Sequence, residues 1–108
     1  MSAIDQLFAT LRQHGRKALM PFITAGDPDL DFTAEVLRCL VAEGAQLCEL
    51  GIPYSDPVAD GPVIQASYTR ALDKRLRLAE ILEMLKGLTP QLAAPIVSMV
   101  SFSIVFRH

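Results

Sequence analysis

Short apolar runs alternate along this chain with segments whose apolar residues recur at helical spacing. The runs are ALMPFIT (18–24), LCELGI (47–52) and PIVSMVSF (95–102). Glycine, proline or aspartate lies close to their ends, which is typical of buried strands bounded by turns. Because helical segments separate the runs, the strands are expected to pair in parallel through right-handed crossovers. The pattern therefore predicts an α/β fold built on a parallel sheet.

Four segments carry the helical pattern. The first begins at a capping box formed by Ser2 and Asp5, and Gly15 is a plausible stop. The other three cover residues 32–44, 62–72 and 78–88. The predicted order is therefore a helix followed by β-α-β-α-α-β, with helices packed on the sheet. No helix is expected to cover the third strand, which is apolar on both faces.

Composition restricts the classes of protein that this chain can belong to. The chain has 108 residues, of which 51% are hydrophobic and 20% charged, so residues 1–108 are expected to form a single domain with a packed core. The net charge is −2 without a basic run, which argues against nucleic acid or an anionic membrane as a partner. The most apolar segment, residues 93–106, is shorter than the ~18 residues of a membrane span. No secretory signal is visible, so the cytoplasm is the expected location.

The cysteines and histidines indicate neither a metal site nor a catalytic site. Cys39 and Cys48 lie in apolar segments without metal-ligand spacing, and both are predicted to be buried thiols in a reducing compartment. His14 and His108 lie at a helix end and at the chain end, and no nucleophile neighbours either of them. Both are expected to be surface residues.

Three acids occur in the proline-rich stretch ELGIPYSDPVADGP (49–62). Because side chains alternate along a strand, Glu49 is expected to lie opposite Cys48 and Leu50, which suit a helix-covered face. Glu49 then lies at the carboxyl end of its strand, where parallel α/β folds build their sites. Among apolar neighbours such as Phe22 it would be partly desolvated and suited to proton transfer. A structural carboxylate bonded to the backbone is the alternative.

The remaining acids have structural interpretations of comparable weight. Asp60 could cap the helix that begins at Pro62, and Asp56 could form a turn through its own side chain. Asp27, in TAGDPD, is predicted to be a turn acid as well. Carboxylates of this stretch could bind a hard cation, but their spacing matches no metal loop, so no metal is expected. Residue patterns alone name no substrate.

Two segments carry a specific resemblance. PFITAGDPD (21–29) and ELGIPYSDPVADGPVIQASYTRAL (49–72) closely resemble the tryptophan synthase alpha chain family, in the order and separation that the family uses. Weaker similarity extends from about Ala18 to Phe106. The resemblance implies a parallel (β/α)8 TIM barrel, of which this chain holds an amino-terminal helix and about β1-α1-β2-α2-β3.

The resemblance also implies an activity and its residues. The family cleaves indole-3-glycerol phosphate into indole and glyceraldehyde 3-phosphate, a retro-aldol step in tryptophan biosynthesis that needs no cofactor in this chain. Glu49 falls on the family's general acid/base and Asp60 on the acid that binds the indole N–H. Phe22 falls on a residue of the indole pocket.

A protein partner is implied too. The loop with Pro53 and Asp56 matches the surface that meets the beta chain, which carries pyridoxal phosphate and forms an alpha2-beta2 assembly. Two departures accompany the match. Ser101, Phe102 and Ser103 replace an aromatic pair followed by asparagine, and the family's phosphate-binding segments lie beyond the third strand. The chain alone is therefore expected to be inactive.

Two other functions stay open on sequence alone. A non-catalytic module could bind the beta chain or complement a separate remainder of the barrel. A different phosphate-sugar aldolase or isomerase could also use the same barrel.

Overall fold

A computed structural model describes residues 2–107 of the chain, so the surface position predicted for His108 lies outside the described residues. The chain folds into one three-stranded sheet with helices before, between and after its strands. The elements are α1 (Ala3–Gln13), β1 (Phe22–Thr24), α2 (Leu30–Ala42), β2 (Cys48–Gly51), α3 (Pro62–Leu72), α4 (Leu78–Leu88), a 3-10 turn (Thr89–Gln91), β3 (Ile96–Met99) and α5 (Phe102–Arg107).

The sheet is parallel throughout, as the alternation of strands and helices predicted. Its strand order is β1-β2-β3, so each crossover places the next strand beside the last. Phe22 pairs with Glu49, and Glu49 pairs with Val97. Because paired residues of parallel strands lie on one face, this register aligns three side chains in a row across the sheet.

One face of the sheet packs against the helices. Cys48 contacts a buried cluster that includes Leu37 of α2 and Leu88 of α4, and Leu50 contacts a second cluster that includes Ile81 of α4. Cys48, Leu50 and Leu37 are fully buried. The predicted alternation is therefore confirmed, because the helix-covered face takes Cys48 and Leu50 and leaves Glu49 on the other face.

Helix boundaries follow the local signals. The Ser2 hydroxyl accepts the Asp5 N–H at 3.1 Å, and the Asp5 carboxylate accepts the Ser2 N–H at 3.1 Å, so the capping box is confirmed. Pro62 occupies the first turn of α3, where its missing N–H costs nothing. Gly15 and Gly44 both have positive φ just after their helices, as helix stops do.

All three strands are shorter than predicted, and β2 loses one residue at each end. β1 begins at Phe22 because Pro21 has no N–H to donate, although its carbonyl accepts the Glu49 N–H at 2.9 Å. Leu19 and Met20, which the prediction placed in this strand, are exposed. β3 ends at Met99, whose carbonyl accepts the Ile52 N–H.

A further helix follows β3, so the expectation of none was wrong. The Ser101 hydroxyl accepts the Ser103 N–H at 3.3 Å, and the Ser101 carbonyl accepts the Ile104 N–H at 3.0 Å. A serine bonded in this way ends extended structure and begins a helix. Phe102 therefore lies in α5, where it is exposed and packs against Phe106 with ring centroids 6.0 Å apart.

The two thiols differ in environment. Cys48 is buried in β2, and burial raises the pKa of its thiol. Cys39 is exposed on the outer side of α2, which corrects the prediction that both are buried. The difference arises because Leu37, not Cys39, occupies the stripe of α2 that faces the sheet.

Among the helices that the structure describes, none is both long and apolar enough to cross a membrane.

Candidate functional site

The row formed by Phe22, Glu49 and Val97 lies on the sheet face away from α2 and α4. Glu49 is half-buried there, between an aromatic and a β-branched side chain. Glu49 is the second of the four residues of β2, so it lies two positions before the carboxyl end of the strand at which it was predicted. A carboxylate with apolar neighbours on both sides can exchange a proton with a group bound against that face.

Gly51 makes room for two aromatic side chains beside Glu49. It is two residues after Glu49 and so faces the same side of the sheet. A Cβ atom at Gly51 would collide with the Phe22 ring and would lie 2.9 Å from the Tyr68 hydroxyl. Because Gly51 has no side chain, the Phe22 ring extends over β2 and α3 packs close to the sheet.

A cleft of about 520 Å³ adjoins this face where β2 and β3 end. Its walls come from the loop between β2 and α3, from Tyr68 of α3 and from the end of β3. Asp56 and Asp60 both line it, whereas Glu49 and Phe22 are not among its described lining residues. The predicted site residues thus form two neighbouring groups, a Glu49–Phe22 pair on the sheet and two acids in the cleft.

Asp60 does not cap α3. Gly61 occupies the cap position without a side-chain hydrogen bond, so the capping interpretation of Asp60 was wrong. The backbone of Asp60 is instead fixed, since its carbonyl accepts the Gln65 Nε2–H at 2.5 Å. The half-buried carboxylate is left to face the cleft.

The loop before Asp60 presents one acid to solvent. The Asp56 carbonyl accepts the Val58 N–H at 2.9 Å, and this backbone bond closes the turn. Within residues 2–107 the Asp56 carboxylate has no hydrogen bond, so the predicted side-chain turn is not formed. Asp56 is exposed and Val58 is 87% exposed, whereas Pro53 is buried at the base of the loop.

Asp27 connects the loop after β1 to α3, a role that its predicted function as a turn acid did not include. Its carboxylate accepts hydrogen bonds from Arg70 Nη2 at 2.8 Å and from the Ser67 hydroxyl at 2.5 Å. Lys74 donates to the neighbouring Pro28 carbonyl. These contacts tie the loop after β1 to α3. The available signal was the spacing of Ser67 and Arg70 on one face of α3, followed by Lys74 just after the helix.

Replacing Asp27 by asparagine is expected to lower the free energy of unfolding by about 1–2 kcal/mol at neutral pH, a figure discounted because Arg70 is 60% exposed. The hydrogen bond from Arg70 lowers the pKa of Asp27 below its ordinary 3.8. The stabilisation by the Asp27–Arg70 pair is therefore fully present above the ordinary pKa of Asp27. It is lost as the pH falls through the lowered pKa that Asp27 has in the folded protein. Urea unfolding of both proteins across that range measures it.

Asp73→Asn is the matched control, because Asp73 is an exposed acid at the end of the same helix. A loss for Asp27→Asn that equals the control at every pH would contradict the assigned role.

No group of three or more His, Cys, Asp or Glu side chains capable of holding a metal ion occurs within the described part of the chain.

A parallel sheet whose strands are joined by helices defines the chain as an α/β protein. The chain belongs to the tryptophan synthase alpha chain family, whose profile matches residues 8–108. This confirms the family that the two sequence segments indicated.

Individual proteins similar to this chain belong to the same family. A tryptophan synthase alpha chain from Acaryochloris marina is 53% identical over 108 residues, and one from Trichormus variabilis is 61% identical over 97. The crystal structure of tryptophan synthase subunit alpha from Legionella pneumophila superposes with a TM-score of 0.93 at 36% identity and covers 99% of this chain and 41% of that one. The chain spans about 40% of the length of the Acaryochloris relative.

Proposed function

We propose that this chain supplies the acid-bearing part of an active site that cleaves indole-3-glycerol phosphate to indole and glyceraldehyde 3-phosphate. The observation that carries the proposal is the placement of Glu49 and Phe22 in one register row beside a cleft that holds Asp60. The family gives the substrate its identity, since the arrangement alone indicates only proton transfer next to an apolar ring.

Each residue has a chemical task in this proposal. Glu49 delivers a proton to the indole ring carbon that carries the glycerol chain, and Asp60 accepts the indole N–H and offsets the positive charge that develops on the ring. The carbon–carbon bond then breaks, its electron pair returns to the ring, and the glycerol hydroxyl loses its proton to Glu49. Proton and electrons balance within the substrate and Glu49, so this step requires no cofactor.

The substrate phosphate has no assigned binding group among the residues described. Binding energy from such a remote group orients the reacting centre and supports the chemical step. The chain alone is therefore expected to show no useful lyase turnover. The proposal concerns a protein in which the rest of the barrel is present, and we place such a protein in the cytoplasm.

The test is a fusion enzyme, in which residues 1–108 replace the matching part of the Acaryochloris marina relative. We expect the fusion enzyme to release indole from indole-3-glycerol phosphate, while residues 1–108 alone release none. The unmodified relative is the positive control for the assay. A folded fusion enzyme without indole release would reject the proposal.

We also propose that the loop around Asp56 contacts a pyridoxal-phosphate-dependent beta chain. Asp56 and Val58 are both exposed, and buried Pro53 holds the base of the loop. A solved relative from Pyrococcus furiosus is described as a tryptophan synthase complex, and it superposes with a TM-score of 0.77 at 42% identity. An exposed acid beside an exposed apolar side chain suits recognition of a complementary surface.

Asp56→Lys in the fusion enzyme is expected to weaken binding of the Acaryochloris beta chain about tenfold or more, because it reverses the charge that this exposed loop presents to its partner. Titration calorimetry measures the effect, with Glu83→Lys on the exposed side of α4 as the control. Equal affinities for the two variants would contradict this interface. Beta-chain binding by a fusion enzyme that lacks lyase activity would favour the non-catalytic module instead.

A further inference from the structure

Tyr68 is a buried aromatic residue that no site prediction included. It is 4% exposed, and its hydroxyl approaches the backbone of Gly51 on the Glu49 face of the sheet. The ring also lines the 520 Å³ cleft that contains Asp60. A phenol with a buried ring and a hydroxyl at a cleft can both pack and donate a hydrogen bond.

The backbone holds Asp60 beside Tyr68. Gln65 binds the Asp60 carbonyl at 2.5 Å through its side chain and the Gly61 carbonyl at 3.0 Å through its N–H. Gln65 and Tyr68 are three residues apart on α3, so their side chains are neighbours on one helix face. The Asp60 carbonyl is therefore bound by a residue that lies one helical turn from Tyr68.

The electrostatic environment of Tyr68 also indicates that Asp60 lies close to it. Burial raises the pKa of the Tyr68 phenol, and the Asp60 carboxylate raises it further. The ionisable groups that line the cleft are Tyr54, Asp56, Asp60 and Tyr68. Arg70, two residues further along α3, is engaged by Asp27 and so does not neutralise Asp60.

We propose that Tyr68 is a positioning residue whose hydroxyl donates a hydrogen bond to the Asp60 carboxylate when substrate fills the cleft, while its ring forms the floor of the cleft beside Gly51. This inference rests on the proposed function, because it assigns Tyr68 a role in presenting Asp60 to the indole N–H. Hydrogen bonds of this kind often tighten only in the substrate complex.

Removal of the hydroxyl alone tests the role. Tyr68→Phe in the fusion enzyme is expected to lower kcat about tenfold with little change in KM, since a charge-assisted hydrogen bond orients the acid that stabilises the charged ring. In the Asp60→Asn background the same substitution is expected to have almost no effect. A purely structural loss would instead be the same in both backgrounds.

A second measurement does not depend on activity. The ultraviolet titration of the fusion enzyme minus that of its Tyr68→Phe version gives the ionisation of Tyr68. Asp60→Asn is expected to lower the pKa of Tyr68 more than Asp56→Asn does. Equal effects of Asp60→Asn and Asp56→Asn would show that Asp60 is not the neighbouring charge.

The two measurements separate the inference from the function it rests on. If the fusion enzyme is active, additive kinetic effects of Tyr68→Phe and Asp60→Asn overturn the positioning role and leave the lyase proposal intact. If the fusion enzyme is inactive, the function fails, and the titration alone decides whether Tyr68 and Asp60 interact.

Discussion

Glu49→Gln is expected to lower the turnover of the fusion enzyme by about 10²–10⁴-fold, the usual contribution of a positioned proton-transfer group. Glutamine keeps the size of the side chain and its place between Phe22 and Val97, but it cannot deliver or accept the proton. KM should change little, because the carboxylate is assigned to the chemical step and not to ground-state binding. Steady-state indole release measures both parameters.

Glu43→Gln is the control for this substitution, because Glu43 is an exposed acid that follows α2 and lies away from the site. Turnover of Glu49→Gln within a few-fold of the control would remove Glu49 from the acid/base role. The urea midpoints of the two variants should be similar, so that a loss of activity is not a loss of folding.

Gly51→Ala is expected to have the second largest effect, through packing. The added methyl group would displace the Phe22 ring and crowd the Tyr68 hydroxyl. Inserting a methyl group into a packed site typically costs 1–3 kcal/mol, so we expect a loss of about that size in the free energy of unfolding. We also expect kcat/KM to fall about tenfold or more, because small misplacements of substrate-positioning groups are costly.

Gly87→Ala is the matched control, because nothing lies within 4 Å of a Cβ atom at that position in α4. It is expected to stabilise the protein by about 0.5–1 kcal/mol, since alanine favours a helix interior over glycine. The same stability and kinetics for both alanine variants would contradict the packing role assigned to Gly51.

Much of this architecture could be predicted from local sequence signals. Alternation of apolar runs with helical stripes favours parallel pairing, and the two-residue period of a strand places Glu49 on the face opposite Cys48. The capping box at Ser2 and the proline at the start of α3 are short-range features, so they survive in any tertiary context. The two segments that resemble the family also identified the correct family from this part of the chain.

The remaining features depend on contacts between distant parts of the chain. Asp27 and Arg70 are 43 positions apart, and no local pattern links them. The run from Ile96 to Phe106 is apolar except for three serines, so periodicity cannot separate strand from helix there. The break depends on Ser101, which precedes α5. Tyr68 was overlooked because nothing in the local sequence distinguishes it from other tyrosines on helices. Its role depends on Gly51, whose missing side chain lets the Tyr68 hydroxyl approach the sheet.

The most direct test of the site is the crystal structure of the Glu49→Gln fusion enzyme with indole-3-glycerol phosphate bound. We predict an indole ring against Phe22, with its N–H on Asp60 and the amide at position 49 about 3 Å from the glycerol-bearing ring carbon or the glycerol hydroxyl. A substrate bound on the helix-covered face, or bound elsewhere with both acids free, would contradict the account.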